Sequence, residues 1–430
     1  MRNDPARRAR RHGQPDLTGA LGLGRRGVLK GAGLAAMSAA LGAAIPFGRF
    51  LPEGYVPVAL AQDVRLDFPG KSPELVVLGD KPLVAETPAH LLDDEVTPIG
   101  VHYIRNNGQI PEPPADPEVW ELAIDGEVDT PLSLTLGELR ERFENVTHNL
   151  VLECGGNGRT QFVPPARGNP WTTGGVGCAR WTGVRLKDVL EAAGPKPSAI
   201  YTAHYGADPH LSGDPEKQAL SRGIRLEKAL EPHTLIAFAM NGEPIPTIHG
   251  GPVRLLVPGW TGSASQKWLT RVRLRDQEHD GQGMKGTSYR VPVVPIVPGT
   301  DHDGEGFRIL ESMPVKSLIT APADGTRPPA GTRELEVRGH TWAGDLTVEE
   351  VFVTIDFGQS WQKAELREPV NRYAWQRWSA RIELPTEGYY EIWARAVDSN
   401  GTSQPFAAPN WNPGGYGGDA YHRIAILVEA

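Results

Sequence analysis

One segment of the chain combines a thiol, several glycines and a permanent cation. It reads LECGGNGR from Leu152 to Arg159, and the apolar run at 148–153 predicts a buried strand that ends at Cys154. Glycines let the backbone approach a bulky group, and arginine offers a planar fork of hydrogen-bond donors. A thiolate there could be a nucleophile or a ligand for a soft metal. From these residues alone, a buried inert cysteine in a turn is the simpler interpretation.

Further basic groups occur in segments rich in glycine and proline. These segments are RNN at 105–107, RGNPW at 167–171, HGGPVR at 249–254 and SQKW at 265–268. In a chain with a formal net charge of −8, cations in such apolar loops need an anion to neutralise them. The pattern favours a phosphate-bearing cofactor or a small oxyanion substrate. Taken singly, His249 could be a satisfied turn histidine and Arg254 could pair with a core carboxylate.

Short strands and a few helices are predicted to hold these loops. The run 118–126 alternates apolar and polar residues and ends in Asp-Gly, as a strand entering a hairpin does. Thr135 and Glu138 have the spacing of a capping box for a helix that continues to Phe143. A second, amphipathic helix is predicted over 184–193, with its end at Gly194. Strands are also predicted over 234–240 and 253–257.

The pattern changes after the PVVPIVP segment at 292–298, which is interpreted as a linker. Regular short strands without helices follow, at 333–339, 348–357, 378–384 and 389–397. This arrangement predicts an immunoglobulin-like β-sandwich. The predicted fold class is therefore α+β, with a mixed α/β domain over 62–300 followed by a sandwich over 301–430.

Composition excludes several classes of protein. Glycine and proline together number 89 of 430 residues, which argues against a helical bundle. Two cysteines exclude a disulfide-stapled scaffold and a site built from four thiolates. Residues 1–61 carry a formal charge of +6, so the other 369 residues carry −14. So acidic a body is not expected to bind nucleic acid or anionic lipid.

The first 61 residues are interpreted as an export signal. Arg25 and Arg26 precede an uncharged apolar run at 31–47, and Ala59-Leu60-Ala61 offers a small-residue cleavage site. The order of these parts resembles a twin-arginine signal, which predicts a periplasmic or exported protein. The alternative, a membrane anchor, is disfavoured because the apolar run is short and rich in glycine and alanine.

Six ordered segments together resemble the sulfite oxidase family of molybdenum-cofactor enzymes. They are YIRNN at 103–107, ECGGNGR at 153–159, WTGVRL at 181–186, MNGEPIP at 240–246, HGGPVR at 249–254 and MPVKSLIT at 313–320. The YHRI segment at 421–424 closes a region similar to the family's dimerisation domain. The resemblance implies a sulfite-oxidase-type molybdopterin-binding domain before the sandwich, and a homodimer formed through the sandwich.

The resemblance also implies roles for individual residues. Cys154 would be the thiolate ligand of molybdenum, beside the two dithiolene sulfurs of one molybdopterin. The positions that match pterin- and phosphate-binding residues are Arg105, Asn107, Asp208, His249, Arg254, Ser265, Gln266 and Lys267. The positions that match residues around a substrate oxyanion are Arg105, Arg159, Trp171 and Tyr289, with Arg167 at a basic position nearby.

Three features of the sequence bear on these roles. Animal members of the family have a further substrate arginine where this chain has Gly414, and the family often has histidine where this chain has Asn107. Cys178 is interpreted as a small buried residue, and a disulfide to Cys154 is the competing possibility. Such a disulfide would abolish the metal site.

The expected function is oxidation of sulfite to sulfate by oxygen-atom transfer. No haem or flavin is expected in this chain, so electrons would pass to an external c-type cytochrome. The alternatives are a sulfane dehydrogenase subunit, a molybdenum S- or N-oxide reductase, and a secreted immunoglobulin-like binding module without catalysis. A molybdenum assay separates the enzymes from the binding module.

Overall fold

A computed structural model describes residues 66–429 of the chain. The predicted export signal at 1–61 lies outside the described residues. In the part that is described, no helix is both long and apolar enough to cross a membrane.

The first region is a mixed structure of short strands and three α-helices. The helices are α1 (Leu136–Arg142), α2 (Leu186–Ala193) and α3 (Leu226–Ala229). The strands are β1 (Val76–Asp80), β2 (Leu83–Glu86), β3 (Ile104–Arg105), β4 (Glu121–Gly126), β5 (Leu132–Thr135), β6 (Asn145–Glu153), β7 (Val176–Arg185), β8 (Tyr201–Gly206), β9 (Gly223–Arg225), β10 (Leu235–Met240), β11 (Glu243–Pro244), β12 (Arg254–Leu256), β13 (Leu269–Arg275), β14 (Arg290–Pro292) and β15 (Phe307–Ile309).

Two five-stranded sheets form the body of this region. One has the order β11-β10-β7-β6 with β12 paired to β10, and the other has the order β5-β4-β13-β8-β9. They share one apolar core with helix α2, to which Leu122, Val189, Ile236, Leu255 and Val272 belong. A three-stranded sheet, β1-β2-β3, and the β14-β15 hairpin complete the region. Leu150 and Leu152 of β6 belong to a second apolar cluster with Trp171 and Trp181, which fixes the end of the strand that precedes Cys154.

The predicted helices and hairpin are confirmed. Helix α1 begins after Thr135, whose side chain and that of Glu138 form the full capping box. Helix α2 ends at Gly194, which has a φ of +69°, a conformation that glycine adopts without steric cost. This helix starts at Leu186, two residues later than predicted, because β7 continues to Arg185. Strands β4 and β5 pair as the expected antiparallel hairpin.

The second region is the predicted β-sandwich. Its strands are β16 (Lys316–Ala321), β17 (Glu334–Trp342), β18 (Val348–Thr354), β19 (Gln362–Lys363), β20 (Glu365–Leu366), β21 (Gln376–Glu383), β22 (Gly388–Asp398) and β23 (His422–Val428). They form two four-stranded sheets, β16-β17-β21-β20 and β19-β18-β22-β23. The buried side chains of Val337, Trp378, Val351 and Ile392 fill the space between these sheets. The mixed domain followed by a sandwich confirms the predicted fold class.

The segment between the two regions is not a simple linker. Strand β15 pairs back onto β14, with Arg290 opposite Ile309, so the hairpin spans the predicted boundary at residue 300. The sandwich also sends a long loop, 399–421, back toward the first region. In this loop Gly417 donates its N–H to the carbonyl oxygen of Gly155 at 3.0 Å. The sandwich therefore contacts the glycine-rich loop that follows Cys154.

Candidate active site

Cys154 lies where strand β6 leaves its sheet. Its backbone N–H donates to Gly175 at 2.8 Å, and its carbonyl oxygen accepts from Asn157 at 2.9 Å. The thiol is buried, and both cysteines of the chain are free, so the competing disulfide does not form in the structure. Cys178 is fully buried, and burial raises the pKa of its thiol to about 12. Of the two thiols, Cys154 alone lines the cavity at the end of β6.

A cavity opens beside the Cys154 thiol, with an empty volume of roughly 630 Å³ that includes solvent at its mouth. Ten of the predicted site residues line it: Arg105, Asn107, Cys154, Asp208, His249, Arg254, Ser265, Gln266, Lys267 and Tyr289. They come from β3 and the residues just after it, the end of β6, the loop after β8, a short helical turn before β12, β12 itself, the loop that precedes β13 and the position just before β14. The fold thus brings these ten residues together, although they are spread over 185 positions of the sequence.

The cations of this cavity are held by backbone and side-chain oxygens. Arg254 donates to the carbonyl oxygens of His249 at 2.6 Å and Ser265 at 3.1 Å. The Nζ of Lys267 donates to Asn106 Oδ1 and to the carbonyl oxygen of Ile248, both at 2.7 Å. These acceptors orient the cations but leave most of their charge uncompensated.

Arg105 and Asp208 also line the cavity. Arg105 donates to the side chain of Asn107 at 2.6 Å. Asp208 is the carboxylate among the residues that line the cavity, and burial raises its pKa to about 7. Burial and the neighbouring guanidinium groups of Arg254 and Arg105 lower the pKa of Lys267 well below its usual value. A partly protonated acid cannot offset the two guanidinium cations of Arg105 and Arg254, so the cavity favours an anionic occupant.

Three buried polar atoms of the cavity lining also lack a protein partner within the described range. They are His102 Nε2, Gln266 Oε1 and Arg254 Nε. Buried polar groups are normally hydrogen-bonded, so such orphans indicate a missing ligand. An anionic, polar pterin would offer hydrogen-bond partners to such atoms and neutralise the cations, and the Cys154 thiol is a suitable ligand for a soft metal. The residues present therefore fit a molybdenum–pterin group.

Behind His249 lies a lysine that the sequence patterns did not indicate. The Nζ of Lys71 contacts His249 Nε2 at 3.1 Å and donates to the carbonyl oxygens of His102 at 2.6 Å and Ile99 at 2.5 Å. These contacts place the Lys71 amine directly against the His249 ring and help to orient it. Burial lowers the pKa of Lys71 to about 7. Lys71 belongs to no motif, and its role is visible only once the chain is folded.

Arg159 lies next to the cavity rather than in its lining. Its Nε donates to the carbonyl oxygen of Gly414 and its Nη1 to that of Asn169, both at 2.7 Å. The side chain runs through a groove walled by glycines, where a Cβ at Gly168 would lie 2.9 Å from Cζ and a Cβ at Gly415 would lie 2.6 Å from Cγ. The guanidinium is therefore held rigidly beside the Cys154 loop.

The other three predicted substrate residues, Tyr289, Trp171 and Arg167, lie in three different environments. Tyr289 lines the cavity and adopts a φ of +50°, which is uncommon for a residue with a Cβ. Trp171 is fully buried and packs edge-on against Tyr103, another cavity residue, with ring centroids 5.8 Å apart. Arg167 lies on the surface, where its side chain is 77% exposed and pairs with Asp301. The structure does not bring Arg167 into the cavity.

Position 414 is occupied by backbone alone, and the adjacent aromatic ring is that of Tyr416. This ring stacks on Tyr289 with centroids 5.0 Å apart and an interplanar angle of 27°. The Arg159 guanidinium lies over its face, 5.5 Å from the centroid. Tyr416 was not predicted from the sequence, where its signal is its place between two glycine pairs in GGYGG, 414–418.

Two family models match the chain. Residues 107–283 match the oxidoreductase molybdopterin binding domain, and residues 308–429 match the Mo-co oxidoreductase dimerisation domain. Together with the anion-binding cavity and its thiol, these matches define a molybdenum-cofactor oxidoreductase.

Relatives of known activity narrow this class. The chain is 35% identical to sulfite oxidase from Gallus gallus over 377 residues, which is 84% of this chain and 80% of that protein. It is 33% identical to mitochondrial sulfite oxidase from Homo sapiens over 400 residues, covering 89% and 71% of the two chains. The chain belongs to the sulfite oxidase family.

A solved structure is also similar to this chain, over most of the length of both chains. The sulfane dehydrogenase SoxCD from Paracoccus pantotrophus superimposes with a TM-score of 0.68 and 25% sequence identity, and the match covers 88% of this chain and 94% of that chain. The shared fold includes both the mixed domain and the sandwich. The chain is therefore a sulfite-oxidase-like molybdenum enzyme whose fold is also that of a sulfane dehydrogenase.

Proposed function

We propose that this enzyme oxidises sulfite to sulfate by oxygen-atom transfer. Sulfite and water become sulfate, two protons and two electrons, and the sulfur gains one oxygen. The observation that carries the proposal is the placement of a free, buried thiol in a cavity lined by Arg105 and Tyr289, with Arg159 in the adjoining loop. When bound, the molybdenum cofactor supplies the two-electron oxygen-transfer chemistry.

The residues of the chain divide into two groups in this proposal. Cys154 holds the metal, while the pterin and its phosphate are held by Asn107, Asp208, His249, Arg254, Ser265, Gln266 and Lys267. Arg105 borders both groups, since it lines the cavity and bonds to Asn107. The Nη2 of Arg159 takes no part in the bonds to Gly414 and Asn169, so its N–H groups are available to an oxyanion.

Catalysis by the protein part is then positioning and electrostatics. Arg105 and Arg159 neutralise the anionic substrate and orient its sulfur, and neither has to exchange a proton. The buried ring of Tyr289 lines the cavity and limits the access of bulk water to it, which strengthens these ionic contacts.

Export, assembly and electron transfer complete the proposal. The basic leader with its arginine pair supports twin-arginine export to the periplasm. The dimerisation-domain match at 308–429 supports a homodimer formed through the sandwich. Electrons leave to an external c-type cytochrome, and the −14 charge of residues 62–430 favours a basic partner.

A sulfane dehydrogenase activity, on protein-bound sulfur, is the second candidate. Two observations favour it: the similarity to SoxCD and the lack of a side chain at Gly414, where animal relatives carry a substrate arginine. The match to the dimerisation domain disfavours an S- or N-oxide reductase, since family reductases of that kind lack this domain.

The test is a direct comparison of substrates with purified enzyme that has been assayed for molybdenum. Sulfite should reduce ferricyanide and a basic c-type cytochrome, and the cytochrome rate should fall as salt is added. Turnover of a persulfide-carrying protein in the absence of sulfite turnover would instead support the sulfane dehydrogenase. A protein that contains molybdenum but oxidises neither compound would contradict both candidates.

A further inference from the structure

The loop 411–418 of the sandwich is fastened to the first region on both of its sides. Trp411 donates its indole N–H to the carbonyl oxygen of Pro164 at 2.7 Å, and Gly417 donates to Gly155 at 3.0 Å. Within the loop, the side chain of Asn412 bonds to both the N–H and the carbonyl oxygen of Tyr416, each at 2.9 Å. The backbone of Tyr416 is thus fixed next to the loop that follows Cys154.

The ring of Tyr416 contacts two residues that are predicted to bind substrate. One face stacks on Tyr289, at 5.0 Å between centroids. The guanidinium of Arg159 lies 5.5 Å from its centroid, a cation–π distance. The stack restrains the Tyr289 ring, and the Arg159 contact covers one face of a guanidinium that also bonds to Gly414 and Asn169.

Tyr416 also determines what position 414 can hold. A Cβ built on Gly414 would overlap the edge of the Tyr416 ring. Any side chain at 414 therefore requires the ring to move away from Tyr289 and Arg159. The φ of Gly414 is not in the left-handed region, so the conflict is with the ring and not with the backbone.

The hydroxyl of Tyr416 stays protonated under ordinary conditions. Burial, together with the nearby Tyr289 and Cys154, raises its pKa to about 12, while Arg159 opposes the shift. The ring therefore presents a neutral face to the cation. It does not compete with an oxyanion for the charge of Arg159.

We propose that Tyr416 is a specificity-determining positioning residue, contributed by the second domain, that holds Arg159 and Tyr289 in the geometry that binds the sulfur oxyanion. This proposal rests on the proposed function. The Tyr416 ring occupies the volume that a cationic side chain at position 414 would need. The substrate is then recognised by fixed donors of the first domain, without a charged group from the second.

The test compares Tyr416→Leu and Tyr416→Phe with Tyr389→Leu, which removes an exposed tyrosine of the same domain. Tyr416→Leu should raise the KM for sulfite about tenfold with kcat within about threefold, because ground-state oxyanion contacts are lost. Tyr416→Phe should stay close to wild type, since the ring does the positioning. The dissociation constant of sulfate, measured by calorimetry, should rise in parallel with KM in Tyr416→Leu.

Gly414→Ala provides a second test that leaves Tyr416 in place. It should displace the ring and raise KM as Tyr416→Leu does, with molybdenum content unchanged and a small fall in the thermal midpoint from the overlap. If KM and the sulfate dissociation constant remain at wild-type values in both Tyr416→Leu and Gly414→Ala, the inference is wrong. A wild-type enzyme that binds sulfate but does not oxidise sulfite contradicts the proposed function instead, and the sulfate measurements then decide the role of Tyr416.

Discussion

Glu153, the residue before Cys154, forms a buried ion pair with Lys316 of the sandwich at 2.5 Å. Their side chains are only 2% and 7% exposed. Glu153 also accepts hydrogen bonds from the indole of Trp342 at 2.8 Å and from the side chain of Asn157 at 2.9 Å. The segment that carries the thiol is therefore held to the second domain by a buried ion pair. Residues of both domains position the site.

Removing one partner of this pair should be costly. Lys316→Met leaves the Glu153 carboxylate buried without its cation, and we expect the free energy of unfolding to fall by about 3 kcal/mol. Lys363→Met is the control, because Lys363 forms an exposed pair with Glu350 at 2.9 Å, and such pairs contribute less than about 1 kcal/mol. Urea unfolding measures both. Equal, small losses in the two variants would show that the buried pair does not anchor the segment.

The two arginines near position 414 should behave differently. Arg159 is buried in its glycine groove, whereas Arg167 is 77% exposed and pairs with Asp301. Arg159→Ala should raise the KM for sulfite at least about tenfold through loss of a charge-assisted contact. Arg167→Ala should change it by less than about twofold, as surface ion pairs are weak. Steady-state kinetics decide the matter, and the reverse ranking would remove Arg159 from the substrate site.

Acid should destabilise the protein partly through His340. This histidine is fully buried and stacks on Trp375 with centroids 4.1 Å apart. Burial lowers its pKa from 6.5 to about 4. Between these values the unfolded state binds more protons than the folded state, so stability is present above pH 6.5 and falls as the pH drops toward 4.

The measured quantity is the slope of the unfolding free energy against pH. One such group contributes up to about 1.4 kcal/mol per pH unit. His340→Asn should flatten the dependence of unfolding free energy on pH by up to this amount, whereas the same change at the exposed His302 serves as the control. An unchanged slope in His340→Asn would mean that His340 titrates alike in both states.

Lys71 should affect cofactor retention through His249. Lys71→Met removes the hydrogen-bond partner of His249 Nε2, so the imidazole of His249 loses a contact that orients it. A displaced His249 would weaken the hold of the protein on the pterin and therefore on the metal that the pterin carries. We expect faster loss of molybdenum on dialysis, measured by elemental analysis, with Lys81→Met at an exposed turn as the control. Identical retention in the two variants would restrict Lys71 to a structural role.

Much of the fold could be predicted because its signals are local. The capping box of Thr135 and Glu138, the helix end at Gly194 and the alternation along 333–339 each depend on neighbours in sequence. The site residues were predicted from the family resemblance, and ten of these predicted residues line one cavity in the structure.

The parts that could not be predicted depend on contacts between distant residues. The hydrogen bond from Arg159 to Gly414 joins residues 255 positions apart, and that from Lys71 to His249 joins residues 178 positions apart. No periodicity or cap encodes such pairs. The bond between Arg167 and Asp301 also joins distant parts of the chain. The sequence therefore does not reveal that the Arg167 side chain lies on the surface, and the family resemblance placed it near the substrate.

The central claim is that the Cys154 thiolate binds molybdenum. X-ray absorption at the molybdenum edge, on wild type and on Cys154→Ser, counts the sulfur neighbours of the metal directly. We predict one sulfur neighbour fewer in Cys154→Ser and loss of sulfite oxidation, while Cys178→Ser keeps the wild-type spectrum and activity. The same sulfur count in wild type and Cys154→Ser, or wild-type protein purified without molybdenum, would contradict the account.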